Sequence, residues 1–468
     1  MGKTPWGFIP AVLVVALLLG GPVSVEAAGE AVATAADRTS LRLTIYDRGS
    51  ALVEETRRVR LRAGGSLTWR DVPKTLDPTS VQLAGPPSLK VLEERFRYDP
   101  TTHERLLKAA RGGRVTLVER VGEAGEERRT EAVLLAAEGP PVFRIGQEVH
   151  LGHPGRVVLP HLPDGLALEP ELVWRTEGLA GEAALTARYL AGGLQWGADY
   201  VLVINEATLA GALSGAFSIT NTSGADVDGA RVQLVAGVVR RVEAKRGPIV
   251  LRSMAMAESA REAPVADLHR YTVKAPVSVA DGRTVRVGFL QVDGVKLARR
   301  YEVRGGGPVV ARRTSGEERL PVAVVWTFPN TTEAGLGRPL PAGTVRVYVA
   351  QGDRPLLLAG EVPLSHTPAG VEEVELETSE AFDLVATRRQ TAFQRLGKNV
   401  TESAWGVTVE NKKEVEVAVR LIERVPAQAE LVEASHTSER PSADRLVFAV
   451  TVPPGRAVEV TYQVRVRR

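Results

Sequence analysis

Apolar and polar residues alternate with a period of two over most of this chain. Leu41, Leu43 and Ile45 alternate with polar partners, Asp47-Arg48-Gly49-Ser50 marks a turn, and Val53, Val59 and Leu61 continue on a return strand. The same period recurs at Val285/Val287/Phe289, Val345/Val347/Val349 and Val415/Val417/Val419/Leu421, and again at Leu446/Phe448/Val450/Val452 and Val458/Val460/Tyr462/Val464/Val466. Such alternation predicts half-buried strands, and β-branched Val suits a pleated surface. Asp281-Gly282 separates Val277/Val279 from Val285/Val287 and predicts a hairpin turn. Pro453-Pro454-Gly455 separates the last two strands. The pattern predicts an all-β, multi-domain chain of β-sandwiches with an immunoglobulin-like C-terminal unit.

Two segments depart from this period. Thr101 and Glu104 have capping-box spacing ahead of Leu106-Leu107, and Gly112 follows, predicting one short helix over 101–111. Short strands at Val115–Leu117, Ala132–Leu135, Val142–Ile145 and Arg156–Leu159 then suggest a small barrel. Residues 253–268 carry no apolar stripe and read as a mobile loop or a short exposed helix. The expected organisation is a signal peptide over 1–27, a flexible lead-in over 28–39 and an N-terminal β domain over 40–165. A central sandwich region over 166–375 and a C-terminal sandwich over 376–468 complete it.

The N-terminus explains the address. Lys3 is the only charge before Glu26, an apolar run spans Phe8 to Leu19, and Val25-Glu26-Ala27 places small residues at a cleavage site. This layout predicts a secretory signal cleaved ahead of Ala28, with a retained membrane anchor as the rival reading. No later stretch is apolar enough to span. The chain has no cysteine, which excludes disulfides, thiolate metal sites and a cysteine nucleophile. A formal charge of +3 over 468 residues is no nucleic-acid footprint.

Three strands end in asparagine, at Ile219–Asn221, Phe328–Asn330 and Val409–Asn411. They are either similar turns or traces of a repeated immunoglobulin-like unit. Several runs together carry a wider resemblance: Tyr189 to Tyr200, Thr220 to Gly224, Leu234 to Gly237, Gly335 to Tyr348, His366-Thr367-Pro368, Ala381-Phe382-Asp383 and Val409-Glu410-Asn411. With these the chain resembles the bacterial DUF4139 domain family from about Val173 to the C-terminus. Phe96-Arg97-Tyr98-Asp99 is similar to that family's N-terminal region. The resemblance implies an exported β-rich protein and carries over no catalytic residue.

Candidate chemistry is thin. His150, His153 and His161 form the one histidine cluster, a metal site or a set of surface histidines in a Gly/Pro-rich loop. His103, His269, His366 and His436 read as isolated surface or turn residues. Glu373, Glu375 and Glu377 share one strand face, which reads as a solvated surface or, alternatively, as glycosidase-type carboxylates. Gly335, Gly337 and Arg338 lie in a shaped loop ahead of a strand, as spacing elements or as a contact surface. Trp196 and Tyr200 share a strand face, for core packing or for stacking on a partner. Arg240 and Arg241, with Lys245, Arg246 and Arg252, form the densest basic patch, a solvated hairpin or a site for anionic envelope polymer or lipid headgroups.

The expectation is an exported, non-enzymatic protein of the bacterial cell envelope, periplasmic or extracellular. It would bind a protein or a surface polymer, without cofactor, metal or nucleic acid. An envelope hydrolase acting on glycan or peptide is the alternative, and a structural or assembly factor is the third reading.

Overall fold

The computed structural model describes residues 30–467 apart from 63, 122–125, 164, 238–268 and 306–312. The signal-like stretch, the basic patch with Arg240 and Arg241, and the loop expected at 253–268 lie outside the described residues. The protein is all-β: strands dominate, and His103–Ala109 is the only α-helix among the described residues. No helix there is long and apolar enough to cross a membrane.

The chain divides into two compact units, residues 1–40 with 54–189, and residues 41–53 with 190–468. In the first, strands Glu30–Ala33, Ser66–Trp69, Glu171–Glu177 and Lys90–Arg97 form a four-stranded sheet in that order. The flexible lead-in expected over 28–39 is therefore corrected for residues 30–39. Glu30–Ala33 pairs in parallel with Ser66–Trp69, and the Ala35 N–H donates to the Asp71 carboxylate at 2.8 Å. Small side chains conceal this strand from a hydrophobicity reading, because its backbone rather than its side chains does the pairing.

The short helix is capped one residue later than its spacing predicts. The Thr102 hydroxyl accepts from Arg105 N–H, and Glu104 pairs with Lys108 at 3.0 Å instead of closing a capping box. The strands around it form one open sheet in the order Glu148–Leu151, Val142–Ile145, Glu126–Ala136, Arg114–Val121, Arg156–Val158. Arg156–Val158, the last of these strands along the chain, returns beside Arg114–Val121, the earliest, making a half-barrel around Leu107, Leu117, Leu134 and Phe143.

The second unit contains one strand arrangement twice. In the first copy, Leu194–Asn205, Ala210–Asn221 and Arg283–Lys296 lie side by side with Ala210–Asn221 central. In the second copy, Leu384–Arg395, Val400–Asn411 and Ala457–Arg467 do the same with Val400–Asn411 central. In each copy the next strand crosses to another sheet. Val227–Ala236 runs parallel to Arg38–Tyr46, and Val417–Arg424 runs parallel to Ala298–Arg304. Each crossing strand is also flanked by an antiparallel one, Val277–Val279 or Arg445–Val452. In the second copy Phe448, Val450, Leu421 and Val419 from one sheet pack against Val407, Val460, Tyr462 and Val464 from the other. The boundary expected at 375/376 falls inside strand Val371–Glu380, which pairs with Val322–Asn330.

One predicted hairpin is corrected by this arrangement. Asp281-Gly282 joins Val277–Val279 to Arg283–Lys296, yet these strands pair with different neighbours, so the turn is a corner between sheets. Pro453-Pro454-Gly455 is the equivalent corner between Arg445–Val452 and Ala457–Arg467. Alternation carries on through a corner, so period alone cannot separate a corner from a hairpin. Val415, read as the first residue of a strand, is exposed in the turn before Val417.

Candidate functional site

The strand Leu194–Asn205 sets Trp196 opposite Ile219 and Tyr200 opposite Gly215. The two aromatic rings therefore emerge on one face, four residues apart. Around them gathers an aromatic cluster that no local stretch of sequence reveals. Trp196 meets Phe217 edge-on at 5.8 Å and Tyr271 at 6.0 Å between ring centroids. Phe217 stacks on Phe289 at 4.1 Å, and Tyr200 meets Phe289 edge-on at 5.7 Å. Gly215 makes room for this packing: a Cβ there would lie 2.9 Å from the tip of the Phe289 ring.

Of the four histidines read as isolated, His269 and His366 are not so. His269 and His366 stack with ring centroids 4.1 Å apart, and the Tyr271 hydroxyl lies 3.5 Å from His366 Nδ1. Burial holds the His366 imidazole below its usual range, and the neighbouring His269 adds to the effect. Burial likewise pushes the Tyr271 hydroxyl up. Two nitrogens of the cluster, Trp196 Nε1 and His366 Nε2, are buried and have no hydrogen-bond partner. Such groups are uncommon because each forfeits its hydration without return.

The loop 331–341 frames this cluster. Tyr200 is buried and its hydroxyl donates to Pro341 O at 2.8 Å. Leu340 and Thr367 exchange backbone hydrogen bonds, both 2.9 Å, which ties the loop to the residue following His366. Asn330, fully buried, donates from Nδ2 to Arg338 O and to Pro368 O. Gly337 has φ +62°, and a Cβ there would lie 2.7 Å from Thr332 N, so the tight turn admits no side chain. Gly335 and Arg338 are exposed. Thus Trp196, Tyr200, the Gly335–Pro341 loop and His366-Thr367-Pro368 are widely separated in sequence and meet at one place. Neutral imidazole, indole N–H and aromatic faces can bind and orient a ligand through stacking and hydrogen bonds.

The remaining candidates lie elsewhere. His150 sits on strand Glu148–Leu151 opposite Phe143, while His153 packs edge-on against Phe143 and accepts at Nδ1 from Gly155 N–H. His161 follows the half-barrel's last strand. Among the described residues no group of three or more His, Cys, Asp or Glu has metal-binding geometry. Glu373, Glu375 and Glu377 form ion pairs with Arg300 and Arg304 on an exposed face, with Val374 and Leu376 buried beneath.

Two buried charge clusters escaped the sequence reading. On strand Ser50–Leu61 the inward row contains Glu55 and Arg57 between Val53 and Val59. Glu55 accepts from Trp69 Nε1 at 2.7 Å, Tyr189 OH at 3.0 Å and Arg38 Nε at 3.0 Å, and pairs with Arg57 at 2.9 Å. In the second sandwich Arg388 lies 3.1 Å from Glu423 and 4.0 Å from the centroid of the Trp405 ring. The only available signal was a polar residue at an inward position of an apolar alternation.

No family model matches the chain, and no curated protein matches it.

Proposed function

We propose that this chain is an exported, non-enzymatic β-sandwich protein of the bacterial cell envelope that binds a protein or surface polymer through the aromatic–histidine cluster and its loop. The observation that carries the reading is the pair of buried, unpartnered nitrogens, Trp196 Nε1 and His366 Nε2, within one cluster of rings. A bound group that accepts from the indole and bonds the imidazole would satisfy both. The stacked rings would supply its apolar contact. The signal-like N-terminus supports export, and the resemblance to the DUF4139 family agrees with it. That resemblance rests partly on Trp196, Tyr200, Gly335 to Pro341 and His366 to Pro368, the residues that converge here.

The test is crosslinking in the intact envelope from a photoreactive residue at Arg338, with wild type compared against Trp196→Ala. A specific crosslinked species that is lost in the variant supports the reading. Absence of any specific species, together with cleavage of envelope glycan or peptide by the purified protein, would overturn it in favour of the hydrolase. Export has its own measurement: the mature N-terminus should map near Ala28.

A further inference from the structure

The half-barrel in residues 103–158 carries a groove of about 440 Å³ that the foregoing function does not use. Ala109, Ala110 and Arg111 at the end of the short helix form one wall, Gly113 and Arg114 another, and Leu159, Pro160, His161 and Pro163 the third. Its size suits a small organic ligand. Its chemistry is asymmetric. Ala110 and Leu159 pack onto the half-barrel core and give an apolar floor, continued by Pro160 and Pro163. Arg111, Arg114 and His161 supply the polar rim, and among the described residues no carboxylate lines the groove.

The two guanidiniums are largely available. Arg114 makes no ion pair among the described residues. Arg111 has only a long contact of 3.9 Å to Glu138, with both side chains mostly exposed. An exposed pair at that distance is worth little and yields readily to a better acceptor. At the end of the helix Leu106 O, Lys108 O and Ala110 O accept from Ala110, Arg111 and Gly113 N–H. Two arginines lining one groove with an apolar floor match a ligand with a planar or tetrahedral oxyanion on an uncharged body. Guanidinium forks bind phosphate oxygens in bidentate fashion.

We propose that this groove binds a phosphate-bearing small molecule, with Arg111 and Arg114 gripping the phosphate and His161 at its edge. The same headgroup could reach the groove as a free metabolite or at the surface of a lipid bilayer. The experiment therefore has two arms on the full chain: calorimetric titration with glycerol phosphate, and co-sedimentation with phosphatidylglycerol vesicles. Binding in the first arm assigns a free ligand, and binding in the vesicle arm alone assigns a lipid headgroup. In either case Arg111→Gln with Arg114→Gln should weaken binding at least tenfold, and Lys108→Gln, outside the groove, should change it less than twofold. Both arginines are exposed, so the double variant should keep the wild-type melting midpoint and serves as its own folding control. No binding in either arm, or binding undiminished in the double variant, would overturn the proposal.

Discussion

Asn221 and Asn411 make the same three side-chain hydrogen bonds in two different sandwiches. Nδ2 of Asn221 donates to Ala225 O at 2.8 Å and Val279 O at 3.1 Å, and Nδ2 of Asn411 donates to Val415 O at 2.8 Å and Val452 O at 3.0 Å. Each Oδ1 accepts from the backbone N–H two residues on, at 3.0 Å in both cases. The N–H of the residue directly after each asparagine crosses to the start of the neighbouring strand, Thr222 to Gly193 O and Lys412 to Asp383 O. Each asparagine thus ties its own turn to the corner between sheets, and the shared geometry marks the two sandwiches as copies of one unit. Asn330 is different. It holds the loop through Arg338 and Pro368, and its Oδ1 has no partner.

Asn411→Ala should therefore be costly. It leaves a turn N–H and corner carbonyls unpaired in a fully buried site, at ~1–3 kcal/mol per stranded group. Asn411→Asp should be at least as damaging, since it replaces the donor with an acceptor facing carbonyls. Urea denaturation of the single variants measures this. A loss below about 0.5 kcal/mol for both would remove the clamp from the account of the fold.

Glu423 makes stability depend on pH. Burial lifts its carboxyl from 4.5 to about 7, with Arg388 pulling partly the other way. The unfolded chain releases this proton near 4.5, whereas the folded chain holds it to about 7. Unfolding therefore releases a proton between these values, and raising the pH across that window destabilises the fold. The contribution is fully present below the unfolded value and is lost by about pH 7, with an upper size of about 3 kcal/mol from 1.36 kcal/mol per unit. Glu423→Gln should flatten this part of the stability–pH curve, as read from urea midpoints. An unchanged slope in the variant would assign the dependence to other groups.

Glu55 is the hub of its cluster, so truncation strands several partners at once. Glu55→Ala leaves the fully buried Arg57 without its carboxylate and removes the acceptor for Trp69 and Tyr189. A loss of about 3–5 kcal/mol is expected for breaking a buried pair from one side. Glu55→Gln keeps an acceptor oxygen and should lose less. Thermal melts of the two variants give the ranking, and the reverse order would contradict the charge-based account.

Tyr200→Phe should loosen the loop without unfolding the sandwich. It removes one buried hydrogen bond, to Pro341 O, at about 1–2 kcal/mol, and leaves the ring packing on Phe289 intact. Hydrogen exchange at residues 335–341 should accelerate while the strand Ala210–Asn221 keeps its protection. Uniform acceleration of both would place the bond in the global fold instead.

Phe382 is 95% exposed in the turn that leads into Leu384–Arg395. Among the described residues nothing buries its ring, so Phe382→Ser should change stability by no more than about 0.5 kcal/mol. A larger loss in a chemical melt would show that the ring packs in solution.

The sequence by itself determined the secondary structure class and most strand positions. Alternation of Val, Leu and Ile reports which side of a strand meets a core, and that demand is local. It also picked out Trp196, Tyr200, the Gly335–Arg338 loop and three asparagines as unusual. Tertiary structure alone decided which strands share a sheet, because a corner and a hairpin use the same turn residues. It alone matched Asn221 with Asn411 and set Asn330 apart, since the distinction lies in carbonyls contributed from remote corners. It brought His269 onto His366, and Tyr271 between His366 and Trp196, through strands that carry no mutual signal along the chain. The inward Glu55, Arg57, Arg388 and Glu423 were hidden for a related reason. A charge facing a core is tolerated only when another segment supplies its partner, and that partner is fixed by packing rather than by sequence neighbourhood.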